Sequence, residues 1–103
     1  MNVEFLEPAA QEFYETVAFY NIQRQGLGQE FAEEVEDTIE RIKQNPEAWT
    51  TVSSSRRARR CLTNRFPDCI IYQIRPDMLF IVAVWHQRRR PQSWQAKLSK
   101  IKQ

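Results

Sequence analysis

Glycine is scarce in this chain, with two residues in 103, and proline contributes five. That excludes a collagen-like or linker-rich polypeptide. With 42% hydrophobic and 27% charged residues, it also excludes a disordered one. Cysteine is as rare: Cys61 and Cys69 are too few for a disulfide framework, and packed, reduced thiols are the expectation. The longest uncharged apolar run, Met78 to Trp85, has 8 residues, against about 20 for a membrane-spanning helix. Met1 to Glu7 carries Glu4 and Glu7 and lacks the basic-then-apolar pattern of a secretory signal, so a cytoplasmic protein without membrane contact is expected. His86 is the one histidine. With Cys61 and Cys69 it makes three metal ligands at most, with no close-spaced pair, so no metal or other cofactor is expected. The length suits a single domain, residues 1–103.

Charge is present in both signs but segregated. Residues 1–47 hold 11 acidic and 3 basic side chains, a net of −8; residues 48–103 hold 2 acidic and 12 basic ones, a net of +10. Eleven of the basic residues in the chain are arginine, which pairs bidentately with carboxylate and phosphate. A basic half of this kind suits a polyanion or an acidic protein partner.

The hydrophobic pattern changes period along the chain. Residues 2–7 alternate, with Val3 and Phe5 on one side, and read as a short strand. Pro8 suits a first helical turn. Ala10, Phe13, Val17 and Tyr20, with Tyr14 and Ala18 beside them, predict a helix over about 8–24, with Glu12 and Glu15 off its stripe. Gly26 ends it. Leu27, Phe31, Val35, Ile39 and Ile42 predict a second helix to Gln44, with Glu30, Glu33, Glu34, Glu36, Asp37 and Glu40 on the remaining surface. The short link implies an antiparallel pair. A polar connection follows, anchored by Trp49 and Val52. Strands are then expected at Arg57–Thr63, Cys69–Ile74 and Met78–His86, the last covered on both faces. Trp85 is expected in the core, and a short terminal helix is expected from Gln92 to Ile101. A hairpin centred on Arg65 would set Cys61 opposite Cys69, a geometry in which a disulfide is conceivable. The fold class is α+β: a strand, an antiparallel helical hairpin, then a small antiparallel sheet of three or more strands.

Several segments together carry a family resemblance. They are Gly26-Leu27-Gly28 with Phe31, Glu34-Val35, Ile39, Ile42 and Pro46; Phe66-Pro67-Asp68-Cys69-Ile70-Ile71-Tyr72; and Ile81-Val82-Ala83-Val84-Trp85-His86-Gln87-Arg88-Arg89-Arg90-Pro91. In this order and within 103 residues, the chain resembles the RelE/ParE superfamily of toxins from type II toxin–antitoxin pairs. The resemblance implies a helical hairpin against an antiparallel sheet, and a growth-inhibiting toxin held in a hetero-oligomeric complex by a cognate antitoxin.

Two activities occur in that superfamily. RelE-like members cut mRNA on the ribosome, which requires a base for the ribose 2′-OH, an acid for the leaving oxygen, and cations for the phosphorane charge. ParE-like members inhibit DNA gyrase by binding and need no such set. For cleavage, His86 would be the base and Arg60, Arg88 and Arg89 the phosphate clamps; neighbouring arginines would favour the neutral imidazole. The chain departs from the nuclease pattern: Cys69 stands near the place of an arginine and Trp94 near that of a tyrosine, and no lysine falls in the sheet. The ParE-like action is therefore the favoured expectation. The ribonuclease is the alternative, and a degenerate toxin that only binds antitoxin is the third reading. For target or antitoxin binding, the candidates are Arg56, Arg57, Arg59, Arg60, Arg65, Arg75, Arg88, Arg89, Arg90 and Trp94. The two arginine clusters are expected to meet on one sheet face, with Arg65 and Arg75 at nearby turns, under an acidic or amphipathic antitoxin segment.

Overall fold

The computed structural model describes residues 1–52 and 55–86, with only the backbone described for Ser55 and Arg56. The elements in chain order are β1 (Asn2–Phe5), α1 (Glu7–Gln23), α2 (Leu27–Gln44), β2 (Thr50–Val52), β3 (Ser55–Leu62), β4 (Asp68–Arg75) and β5 (Met78–His86). Pro8 occupies the first turn of α1, where its missing N–H leaves nothing unpaired. Gly26, at φ +89°, takes the left-handed backbone that turns the chain from α1 into α2. Gly28 lies against Val17 and Asn21 of α1, and its amide donates to Asn21 Oδ1 at 2.8 Å. The tight link thus becomes an antiparallel hairpin with a close crossing.

The strands form one sheet in the order β1-β5-β4-β3-β2. β3, β4 and β5 are an antiparallel meander, as expected. β1 joins β5 in parallel, which makes the sheet mixed. Its alternating residues sit beside the start of the most apolar strand, where Leu6 N donates to Ile81 O at 3.0 Å. Thr50–Val52, expected as part of a connection, adds a short edge strand to β3. The predicted terminal helix from Gln92 to Ile101 lies outside the described residues.

The helices cover one face of the sheet. Ala9, Tyr20, Phe31, Val35, Ile39 and Ile42 pack on Cys61, Ile70, Tyr72, Leu79, Ile81 and Val84. Phe13, Phe31, Tyr20 and Phe66 form a continuous chain of ring contacts through this layer, the first pair stacked and the others tilted. The other face has its own buried cluster of Val52, Ala58, Cys69, Ile71, Val82, Ala83 and Trp85. β5 is therefore apolar on both sides, as its composition predicted, and Trp85 is in the core. A bulge in β5 between its Tyr72 and Ile71 partners inserts Val82 and resets the alternation.

Two expectations are corrected by this packing. The α1 stripe is rotated by about one position: Ala9 and Glu12 are buried, while Tyr14 and Ala18 face outward. The β3–β4 hairpin centres between Arg65 and Phe66, pairing Cys61 with Ile70 and Leu62 with Cys69. One residue of register moves a side chain to the other face. Cys61 consequently faces the helices, Cys69 faces the opposite cluster, and both are free buried thiols.

Candidate functional site

Strand alternation separates the arginines that the sequence grouped. Arg59 pairs with Tyr72 and faces the helices; Arg60 pairs with Ile71 and faces the opposite side. Arg59 is committed to structure: Nη1 donates to Glu47 O at 3.0 Å and to Trp49 O at 2.7 Å, tying the α2–β2 connection to the sheet. Arg60 is exposed near the buried Cys69. Burial pushes that thiol up to about 12, with Arg60 drawing it part of the way back. Arg57 is exposed on the same side as Arg59, two residues along β3.

The expected meeting of the arginine clusters at 56–60 and 88–90 lies outside the described residues, but the two turns that carry Arg65 and Arg75 are far apart. Arg65 lies in the β3–β4 turn and Arg75 at the start of the β4–β5 turn, at opposite ends of the 8-residue β4, a separation of about 25 Å at the usual rise. Arg65 approaches Glu30 at 3.6 Å and Glu34 at 3.5 Å and sits over Phe66. Arg75 donates to Gln73 Oε1 at 3.0 Å and covers Phe80. The side chain of Arg56, and Arg88, Arg89, Arg90 and Trp94 altogether, lie outside the described residues.

A second constellation gathers where β4 begins and β5 ends. His86 pairs in register with Asp68, so the two project from the helix-facing side. Asp68 is 1% exposed and accepts a hydrogen bond from Tyr20 Oη at 2.7 Å. Burial, followed by the Asp68 carboxylate, holds the Tyr20 hydroxyl well above its usual range, so it remains a donor. Nearby, Glu12 Oε1 accepts from the Val84 amide at 3.2 Å, and Glu34 Oε2 from the Asn64 amide at 2.8 Å. Thr63 Oγ1 donates to Phe66 O at 2.8 Å. Three buried carboxylates from α1, α2 and β4 thus satisfy backbone and phenol donors at one end of the sheet.

Glu12 and Glu34 were placed on the surface by composition, yet both are buried. Their helical spacing held the signal. Glu12 is on the turn of Ala9, Phe13 and Tyr20, and Glu34 on that of Phe31, Val35 and Thr38. Arg41, also unremarked in the sequence, bridges α2 to β3 by donating to Leu62 O at 3.2 Å while lying over Trp49.

The two residues proposed for cleavage that the structure describes are on different faces: Arg60 beside Cys69, and His86 beside Asp68. Among the described residues there is no cluster of side chains suited to holding a metal ion, and no helix is long and apolar enough to cross a membrane.

This fold is shared with solved structures. The chain is similar to one from the chromosomal ParDE toxin–antitoxin system of P. aeruginosa, with a TM-score of 0.73 at 11% identity, covering 84% of this chain and 95% of that one. That likeness concerns the fold. No curated protein is significantly similar to the chain. The family profile of the ParE toxin of the type II toxin–antitoxin system parDE matches residues 3–91. The match runs through the helical hairpin and all the strands, and the chain therefore belongs to the ParE toxin family of type II toxin–antitoxin systems.

Proposed function

We propose that this chain is a toxin that inhibits growth by occupying DNA gyrase, that it acts by binding and not by cutting RNA, and that a cognate antitoxin neutralises it in the cytoplasm. The observation that supports the choice of action is the separation of Arg60, the one clamp candidate among the described residues, from His86 by the thickness of the sheet. In-line attack of a 2′-oxygen needs base and phosphate clamp converging on one phosphodiester, within hydrogen-bond reach of it. Family membership supports the toxin role.

Binding asks less of the site. Arg57 and Arg60 stand exposed on opposite faces of β3, and either can present charge to an acidic protein surface on its own side without meeting the other at one atom. The supporting experiment is induction of the toxin in growing cells with two parallel readouts. A DNA-damage response without new ends in translated message is the expected result. New message ends that vanish with His86→Ala would overturn the proposal in favour of the ribonuclease. Normal growth on expression would favour a chain that retains only antitoxin binding.

A further inference from the structure

Among the described residues the sheet ends in two open edges, β2 and β1, and only one of them is blunted. β2 is 3 residues long and bulged between Thr51 and Val52, features that discourage further pairing. β1 has no bulge, proline or lysine. Asn2 N donates to Asp77 O at 3.2 Å and Leu6 N to Ile81 O at 3.0 Å, so the even-numbered residues of β1 turn their backbone groups toward β5. By alternation, the N–H and C=O of Val3 and Phe5 point outward, and they have no partner among the described residues.

Beside that edge lies an apolar recess of about 180 Å³, lined by Phe5, Ala10, Phe13 and Tyr14. Val3 and Phe5 lie on the same, helix-facing side of the strand, and Met1, next in that alternation, is 54% exposed. Beyond Tyr14 the surface of α1 turns polar, with exposed Gln11 donating to Glu15 Oε2 at 3.0 Å.

Backbone chemistry restricts how a second β1 can join this edge. In an antiparallel pair, outward-pointing residues exchange hydrogen bonds with outward-pointing residues, so odd numbers must oppose odd numbers. A two-fold axis at Glu4 would set that carboxylate against its own copy at the closest pairing position, which like charges oppose. An axis at Phe5 would run the second strand into Glu7, the first residue of α1. An axis at Asn2 would place Met1 opposite Val3, away from the recess. An axis at Val3 opposes Val3 to Val3, Met1 to Phe5 and Asn2 to Glu4, and allows up to about six backbone hydrogen bonds. The Asn2 amide then faces the Glu4 carboxylate as donor to acceptor. Each Met1 comes to the other copy's recess, where an unbranched thioether suits an irregular gap with aromatic walls.

We propose that β1 pairs antiparallel with β1 of a second copy about a two-fold axis at Val3, joining two sheets into one, with Met1 of each copy seated in the other's recess. β3 is three strands away from this edge, so Arg57 and Arg60 stay uncovered in the pair. The inference needs neither a target nor an antitoxin and stands apart from the gyrase reading. The segregated charge of the chain offers a competing mode, acidic half against basic half. Ionic strength separates the two, because charge-driven association is screened by salt and strand pairing persists.

The test is sedimentation equilibrium of the whole chain at low and high salt, where a reversible dimer is expected in both. Val3→Pro removes an outward N–H and spares the bonds to β5. Tyr14→Asp places a charge at the mouth of the recess. Each is expected to raise the dimer dissociation constant by about tenfold or more, with an unchanged circular dichroism spectrum. Val3→Cys reads the register directly. Opposed residues of this kind have Cα atoms about 5.5 Å apart, within the range of a disulfide, so mild oxidation is expected to give a covalent dimer while Cys61 and Cys69 stay buried. A monomer at every concentration, a dimer lost in high salt, or a dimer indifferent to both Val3→Pro and Tyr14→Asp would overturn the proposal. Cross-linking through Glu4→Cys in place of Val3→Cys would overturn its register.

Discussion

Gly28→Ala sets two effects of opposite sign against each other. In a helix interior alanine is favoured over glycine by about 0.5–1 kcal/mol, because less backbone entropy is lost on folding; Gly28 is the second residue of α2, so the gain there is at most this. At Gly28 the added methyl would collide with the Val17 carbonyl oxygen and stand 2.6 Å from Asn21 Cγ and 2.7 Å from Nδ2. Ordinary carbon contacts lie at about 3.5–4.0 Å. Asn21 can rotate away only by abandoning its bond to the Gly28 amide, worth about 1 kcal/mol. The Val17 carbonyl is part of the α1 ladder and cannot rotate at all, so the helices must part. Overpacking of this kind costs about 1–3 kcal/mol. The clash and the lost bond together exceed the propensity gain, and the net expectation is a destabilisation of about 1–3 kcal/mol. In urea this should lower the unfolding midpoint with an unchanged slope, and on heating it should lower Tm by about 4–8 °C per kcal/mol for a domain of this size. A variant as stable as the wild type, or more stable, would refute the claim that the hairpin is set by a rigid backbone approach at this glycine.

Other outcomes follow from the same packing. Tyr20→Phe removes a donor to the buried Asp68 carboxylate and should cost about 1–3 kcal/mol, with Tyr20→Phe adding little in an Asp68→Ala background, where the acceptor is gone; additive losses in this double-mutant cycle would sink the pairing. Arg59→Ala frees the Glu47 and Trp49 carbonyls and should speed hydrogen exchange in the α2–β2 connection while leaving the centre of β5 protected; uniform protection would contradict the anchoring role. Cys69 is raised from 9.0 to about 12 in the fold, so its contribution is intact below pH 9 and is lost as pH rises toward 12, by up to about 1.4 kcal/mol per pH unit from this group. Cys69→Ala should flatten that part of the stability profile, and an unchanged slope would show that the thiol titrates normally. Thiol reagent at neutral pH should label neither Cys61 nor Cys69 until the protein unfolds, and rapid labelling of either would contradict their burial.

The outline of the fold was legible because it depends on local periodicity. Phe31, Val35, Ile39 and Ile42 sit on one face wherever α2 goes, and Met78–His86 is apolar at every position up to its last. What the sequence did not show is register. A hairpin centre half a residue away from Arg65 decides that Cys61 and Cys69 never meet, and strand alternation decides that Arg59 and Arg60 serve opposite faces. The parallel pairing of β1 with β5 depends on where the helical hairpin returns the chain, which no local pattern records. The buried carboxylates are a different case. Glu12 and Glu34 lie on the inward turns of their helices, but residue type argued for the surface more loudly than position argued for burial. Their reward is backbone amides at the strand ends, visible only once α1, α2 and β5 are brought together.

The most direct test is a supercoiling titration of purified gyrase with purified toxin and its His86→Ala variant. Inhibition that saturates with stoichiometry, and survives the loss of the imidazole, is the outcome required of a protein that works by occupancy. Undiminished supercoiling at saturating toxin would contradict it.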